Sequence, residues 1–358
     1  MQGFRINKIS LFLLSLAGAG FANAGTMGDI SAAGSDKHFF ATVTPLYGSI
    51  NDGGINENPL ADTISATGAV TTIAPKFNNN WGFAVGLGYR YGADKNNALV
   101  LNYMNLSANG TTNTSVGTDG QLIDRMGILV ESGFGGKTNT LIGPATASVK
   151  TNNQYQTGEL ISQRWFQNKF INNVQFSRFW GVKATYFTKS LDAQYDGLLH
   201  GGQADEPMSN TMAYDAKYYA IGPKIGFGAQ WNLSHIFSIG GDLSAAALGG
   251  SQNSSWNETL TTNAQTGIST PNLPQYTYNK TNNTSLWVAP MYAANLVASA
   301  NFGMNSGSSL RLDAGIGFEA YLPDYDLSSF SFKNGANTVS ISDHLAVRTV
   351  FLKFSYLS

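Results

Sequence analysis

One stretch of this chain limits its fold more than any other: a period-two alternation over residues 81–92. Trp81, Phe83, Val85, Leu87, Tyr89 and Tyr91 alternate with Gly82, Ala84, Gly86, Gly88, Arg90 and Gly92. Successive side chains of a strand point to opposite faces, so one face is apolar or aromatic and the other small or charged. A half-buried strand of a soluble sandwich would carry long polar residues opposite its apolar face. A glycine-lined face fits instead the tight interior of a barrel whose outside meets lipid. On a tilted strand, Trp81 and Tyr91 stand about 25 Å apart along the membrane normal, the spacing of two aromatic girdles.

The pattern recurs. In 219–232, Tyr219, Ile221, Ile225, Phe227, Ala229 and Trp231 face out, against Gly222, Lys224, Gly226, Gly228, Gln230 and Asn232. In 308–322, Leu310, Leu312, Ala314, Ile316, Phe318 and Leu322 face out, against Arg311, Asp313, Gly315, Gly317 and Glu319. Weaker segments at 38–50, 97–108, 154–166, 174–189, 236–250, 284–304 and 344–356 bring the total to ten. Their connections alternate in length, as an up-and-down meander requires. Short links fall at 93–96, 167–173, 233–235 and 305–307; long polar ones fall at 51–80, 109–153, 190–213, 251–283 and 323–343. The expectation is an all-β, transmembrane, antiparallel barrel of ten strands, or twelve if 109–153 hides a further hairpin. Both termini and the short turns are then periplasmic, and the long loops extracellular.

Export fits this topology. Arg5 and Lys8, the apolar run Ile9 to Leu16, and Ala22-Asn23-Ala24 form the three regions of a signal peptide, giving residues 1–24 as the leader and 25–358 as the barrel. No later apolar stretch reaches 18 residues, so a membrane location implies a barrel. Charged residues make up only 12%, about half the usual quarter. Without the leader's two cations, 19 Lys and Arg face 22 Asp and Glu, net −3, which excludes a generally basic nucleic-acid binder. The chain has no cysteine, so disulfides and thiolate metal sites are ruled out.

Trp81-Gly82-Phe83 through Gly88-Tyr89-Arg90-Tyr91, Leu101-Asn102-Tyr103, the run from Tyr155 to Gln163, Phe179-Trp180-Gly181-Val182-Lys183 and Gly222-Pro223-Lys224-Ile225-Gly226 follow one another in an order that resembles the Legionella-type major outer membrane protein family of pore-forming barrels. The Gly-Pro-x-x-Gly strand followed by an Ala-rich one at 243–248 is the most specific part. The resemblance implies a surface-exposed, porin-like protein of a Gram-negative outer membrane, with attachment to host cells in some members. Family members cross-linked by disulfides are no guide to a chain without cysteine.

By parity, the inward ionisable residues are Arg90, Lys183, Lys224, Asp242, Arg311, Asp313, Glu319 and Lys353, with Glu159 on a strand that alternates poorly. Their opposite signs predict pairing of Arg90, Lys224 and Arg311 with Asp242, Asp313 and Glu319 within one cross-section. Such a set either lines a polar pore or closes a narrow barrel by ion pairs; a ten-stranded bore is narrow enough to favour closure slightly. Trp81, Tyr89, Tyr91, Trp180, Tyr219 and Trp231 are girdle candidates. Arg178 falls on the lipid face among Val174, Phe176, Trp180 and Val182, and reads as an interfacial residue snorkelling near the periplasmic end. No catalytic set stands out. His38, His200, His235 and His344 are scattered, Asp324 and Asp326 lack the ligands a calcium ion needs, and Gly133 to Gly136 opens no helix for a phosphate cradle. The expected function is passive diffusion of small hydrophilic solutes, with a surface adhesin or closed structural barrel as the alternative and an outer-membrane enzyme disfavoured. No cofactor or metal is implied. The implied partners are outer-membrane lipid, lipopolysaccharide and the barrel-insertion machinery; a host ligand and a homo-oligomer stay open.

Overall fold

The computed structural model describes residues 39–52, 60–92, 96–124, 126, 140–167, 173–200, 205–262, 275–304, 308–321, 332–334, 337–339 and 345–358. The leader, His38, His344, Gly133 to Gly136, Asp324 and Asp326 lie outside them. Ten antiparallel strands close a ring: β1 (Phe39–Asp52), β4 (Asn80–Tyr91), β5 (Asn97–Val116), β7 (Thr140–Gln167), β8 (Val174–His200), β9 (Asp205–Asn232), β10 (Phe237–Thr262), β11 (Gln275–Gly303), β12 (Ser309–Tyr321) and β15 (Leu345–Leu357). Their order around the ring is β7-β5-β4-β1-β15-β12-β11-β10-β9-β8, and β8 pairs back onto β7. The first and last strands also pair, Phe40 opposite Leu357 through Asp52 opposite Leu345. No edge is left in the ring, as a hydrocarbon environment demands.

The segment 109–153 adds no hairpin to the ring, so the count stays at ten. Instead the strands run far beyond the expected ends. β7 to β11, five consecutive members of the ring, are 26 to 29 residues long, whereas β12, β15, β1 and β4 have 12 to 14. Residues 109–116, 140–153, 190–200, 205–213, 251–262 and 275–283, expected as loop, are barrel wall. At about 3.4 Å per residue the long strands measure about 90 Å, well past a hydrocarbon layer of about 30 Å. One half of the barrel therefore rises as a wall above the other half.

Inside the membrane band the outer face is apolar and the inner face packs. Three inner glycines each lie directly across from a phenylalanine: Gly88 from Phe40, Gly226 from Phe179 and Gly315 from Phe351. A β-carbon on any of the three would fall 1.9–2.2 Å from the facing ring. Glycine is required there because a phenyl group occupies the space a side chain would take. This is how the glycine-rich face narrows the bore.

The first two outer loops fold inward. β2 (Ala61–Ile64) and β3 (Val70–Ile73) form a hairpin; β2 pairs with β6 (Gln121–Asp124), and β6 pairs with the top of β7. Leu60, Ala61 and Leu122 are fully buried. Tyr195 on β8 donates to the Leu60 carbonyl at 2.6 Å, and Asn210 on β9 donates to Asp124 at 3.1 Å and to Glu258 on β10 at 2.9 Å. The chain leading to β4 runs along the inner wall, where the Lys76 and Asn78 amides bond to Thr112 and Asn109. Gly110 is needed here, since a β-carbon would lie 1.7 Å from the Lys76 carbonyl. A separate short hairpin joins β13 (Phe332–Asn334) to β14 (Asn337–Val339).

Topology can be read on whole cells. Protease added outside is expected to cut the connections from β6 to β7 or from β10 to β11, and to spare the turns after β4 and β11. Cleavage at those turns with the outer membrane intact would invert the orientation.

Candidate lumenal site

The eight inward candidates all have buried side chains, and Glu159 joins them. Strand pleat explains it: each occupies the parity opposite the lipid-facing aromatics of its own strand. Trp81, Tyr89, Tyr91, Trp180, Tyr219 and Trp231 are exposed on the outer wall. Arg178 is also on the outside.

The charges do not share one cross-section. Near the end that carries the short turns, the Arg311 guanidinium donates from Nε to Asp313 at 2.6 Å and from Nη2 to Ser299 at 2.7 Å, with the Lys353 ammonium 3.6 Å from Asp313. At the same end the Arg90 guanidinium stands 5.5 Å from the ring centre of Trp165, within cation–π range. Asp242 accepts two bonds from the Asn295 amide, at 2.8 and 3.0 Å.

The central layer crosses the bore. Glu159 on β7 is in register with Lys183 on β8, and their charged groups are 3.1 Å apart. Lys224 on β9 donates to both Glu159 oxygens at 2.9 and 3.0 Å while lying over the Phe179 ring. Lys183 also reaches Glu319 on β12, 2.5 Å away. Tyr155 on β7 donates to Glu319, as does Tyr321 at 2.7 Å, and Thr185 on β8 pairs with the Tyr321 hydroxyl at 3.1 Å. In the ring β12 is five strands from β7 in either direction, so the Tyr155 contact joins diametrically opposite walls, and the contacts of Lys183 and Thr185 on β8, four strands away, also cross the bore. Glu159, Lys183 and Glu319 are fully shielded from solvent, where an ion pair survives only with good geometry and satisfied hydrogen bonds.

Lys224 therefore pairs with Glu159, and Glu319 with Lys183. Tyr155 and Tyr321, which complete the bridge, were not singled out from sequence. Tyr155 lies on a strand that alternates poorly, and Tyr321, although on the inward parity of 308–322, carries no charge to mark it among the aromatics of the wall. Chemically the layer is an ion-pair network of mixed sign that occludes the lumen with side chains, below a second closure made by β2, β3 and β6.

The family model for the Legionella pneumophila major outer membrane protein precursor matches residues 47–357. No curated protein matches the chain. Among solved structures, outer membrane protease OmpT from Escherichia coli aligns over 92% of this chain and 99% of its own, at 10% identity and TM-score 0.44. An outer membrane channel from Pseudomonas putida F1 aligns over 93% and 100%, at 10% identity and TM-score 0.30. A Pseudomonas aeruginosa FadL homologue aligns over 90% of each chain, at 10% identity and TM-score 0.25. Such distant likenesses carry nothing about activity. With the family match covering nearly all of the closed ten-stranded ring, this chain belongs to the Legionella major outer membrane protein family and is a β-barrel of the Gram-negative outer membrane.

Proposed function

We propose that the protein is a porin-like barrel that passes small hydrophilic solutes when the bridge from β7 and β8 to β12 opens. The observation that carries this reading is that the central bore is lined and closed by ionisable side chains of both signs. Side-chain closures can part by rotamer changes, without unfolding backbone. The mixed lining gives no reason for strong ion selectivity. On this reading the protein is not an enzyme, because its buried acids and bases are engaged with one another. The complete burial of Lys183 and Glu319 favours a second reading, a surface barrel with a permanently shut lumen that acts through its outer wall.

Planar-bilayer recording separates the two. The expected result is brief, small, weakly selective openings in the wild type and longer or larger ones in Glu319→Gln, which removes the ion pair while keeping a hydrogen-bond acceptor for both tyrosines. A folded protein that carries no current in either form would establish the shut-lumen reading.

A further inference from the structure

Two arginines face lipid together on the outer wall. Arg164 on β7 and Arg178 on β8 are exact register partners, and both are exposed. Side chains directly opposed on one face of an antiparallel pair have β-carbons about 4.5–5.5 Å apart, and like charges so placed repel. Neither arginine has a carboxylate partner among the described residues. The repulsion is therefore left for something outside the protein to relieve, and that must be an anion.

The surroundings state what kind of anion. Arg164 lies three residues from the periplasmic end of β7 and Arg178 four residues from the periplasmic start of β8. With a strand tilt of about 40°, this is about 10 Å from the barrel's lower rim, the depth at which lipid headgroups of the periplasmic leaflet meet the wall. On the rim side Phe166 and Phe176 stack, and Phe227, the register partner of Arg178 on β9, packs against both, with ring centres 5.8–6.4 Å apart. Toward the membrane centre the same face continues as Trp180, Leu160, Val182 and Ile225, all exposed and apolar. Ser162, one step above Arg164 on the same face, has its hydroxyl 3.4 Å from that of Tyr91. A polar patch of two guanidinium groups and two hydroxyls thus sits at the lower edge of an apolar wall.

We propose that Arg164 and Arg178 bind the phosphodiester of one glycerophospholipid of the periplasmic leaflet, with its acyl chains lying along Leu160, Val182 and Ile225. A guanidinium offers a planar fork of N–H donors that matches phosphate oxygens, and two facing forks can clasp one phosphate from both sides. The apolar wall above the arginines distinguishes this occupant from free phosphate, and the periplasmic height distinguishes it from the phosphorylated lipid of the outer leaflet.

The test uses the full-length barrel in mild detergent, with native mass spectrometry after addition of phosphatidylglycerol, of dioleoylglycerol, or of inorganic phosphate. The expected result is one tightly retained phosphatidylglycerol on the wild type and little retention of the other two. Arg164→Gln/Arg178→Gln should weaken phosphatidylglycerol retention by about tenfold or more, as loss of about 1.4 kcal/mol or more implies. Both positions are on the outer surface, and the heat-modifiable mobility of the folded barrel verifies that the variant still folds. A third form, Lys150→Gln, removes an exposed cation high on β7 and should retain the lipid like the wild type. Equal retention by the double glutamine variant would overturn the proposal. So would equal loss in Lys150→Gln, or equal binding of inorganic phosphate or dioleoylglycerol by the wild type.

Discussion

Lys183→Met is expected to destabilise the folded barrel by about 3–5 kcal/mol, the cost of removing one partner from a buried ion pair. Methionine fills nearly the same space, so the change is one of charge rather than volume. Lys183 stands 3.1 Å from Glu159 and 2.5 Å from Glu319. Without it Glu159 keeps Lys224, but Glu319 is left with two tyrosine hydroxyls and, among the described residues, no paired cation. Adding Glu319→Gln removes the stranded charge, so the double variant should recover most of the loss. The measurement is a urea unfolding midpoint in lipid vesicles for the wild type, Lys183→Met and the double variant. If Lys183→Met unfolds at the wild-type midpoint, water reaches the network and screens it, which is the behaviour of a wet pore.

The glycine–phenylalanine pairs give the second large effect. Phe179→Ala should cost about 3–5 kcal/mol by leaving a cavity on the inner wall, and Gly226→Leu about 1–3 kcal/mol by overpacking. A β-carbon at Gly226 would meet the Phe179 ring at 2.1 Å and the Leu243 carbonyl at 2.7 Å. The ring has little freedom to retreat, because it is buried beneath the Lys224 ammonium, 5.9 Å from its centre. Phe179→Ala and Gly226→Leu combined should lose less than the sum of the two, since the new leucine fills the space the phenyl group vacates. The same unfolding midpoints provide the check, and strict additivity would show that the two positions do not share one space.

Within the lipid band the fold was legible because the bilayer imposes strict alternation. Trp81, Phe83, Val85 and Leu87 can only be read one way when the residues between them are glycine or alanine, and that parity sends Arg90 inward, as the matching alternations of β9 and β12 send Lys224 and Arg311. Above the membrane the outer face meets water and turns polar, while the inner face mixes buried apolar residues such as Val149, Leu191, Met212 and Trp256 with buried Thr, Asn and Gln, so hydropathy alone no longer marks the alternation. Asn109, Thr111 and Asn113 on the outer face of β5 look no different in hydropathy from Gly110, Thr112 and Thr114, so the upper wall reads as loop. β7 hid Glu159 for a related reason. Its outer face carries Gln154, Gln156, Gly158, Ser162 and Arg164, so polar residues fall on both parities and the inward glutamate does not stand out. The inward turn of β2, β3 and β6 depends on long-range pairing with the top of β7, and no local pattern encodes it.

The unequal heights of the strands make the exterior of this barrel directional. A cylinder with a level rim presents the same profile from every compass point of the cell surface. Here β7 to β11 stand as a crescent parapet while β12, β15, β1 and β4 end low. An approaching macromolecule meets the outside of the parapet first from one side, and from the other crosses a low sill onto the inward-folded β2, β3 and β6 that cover its inner face.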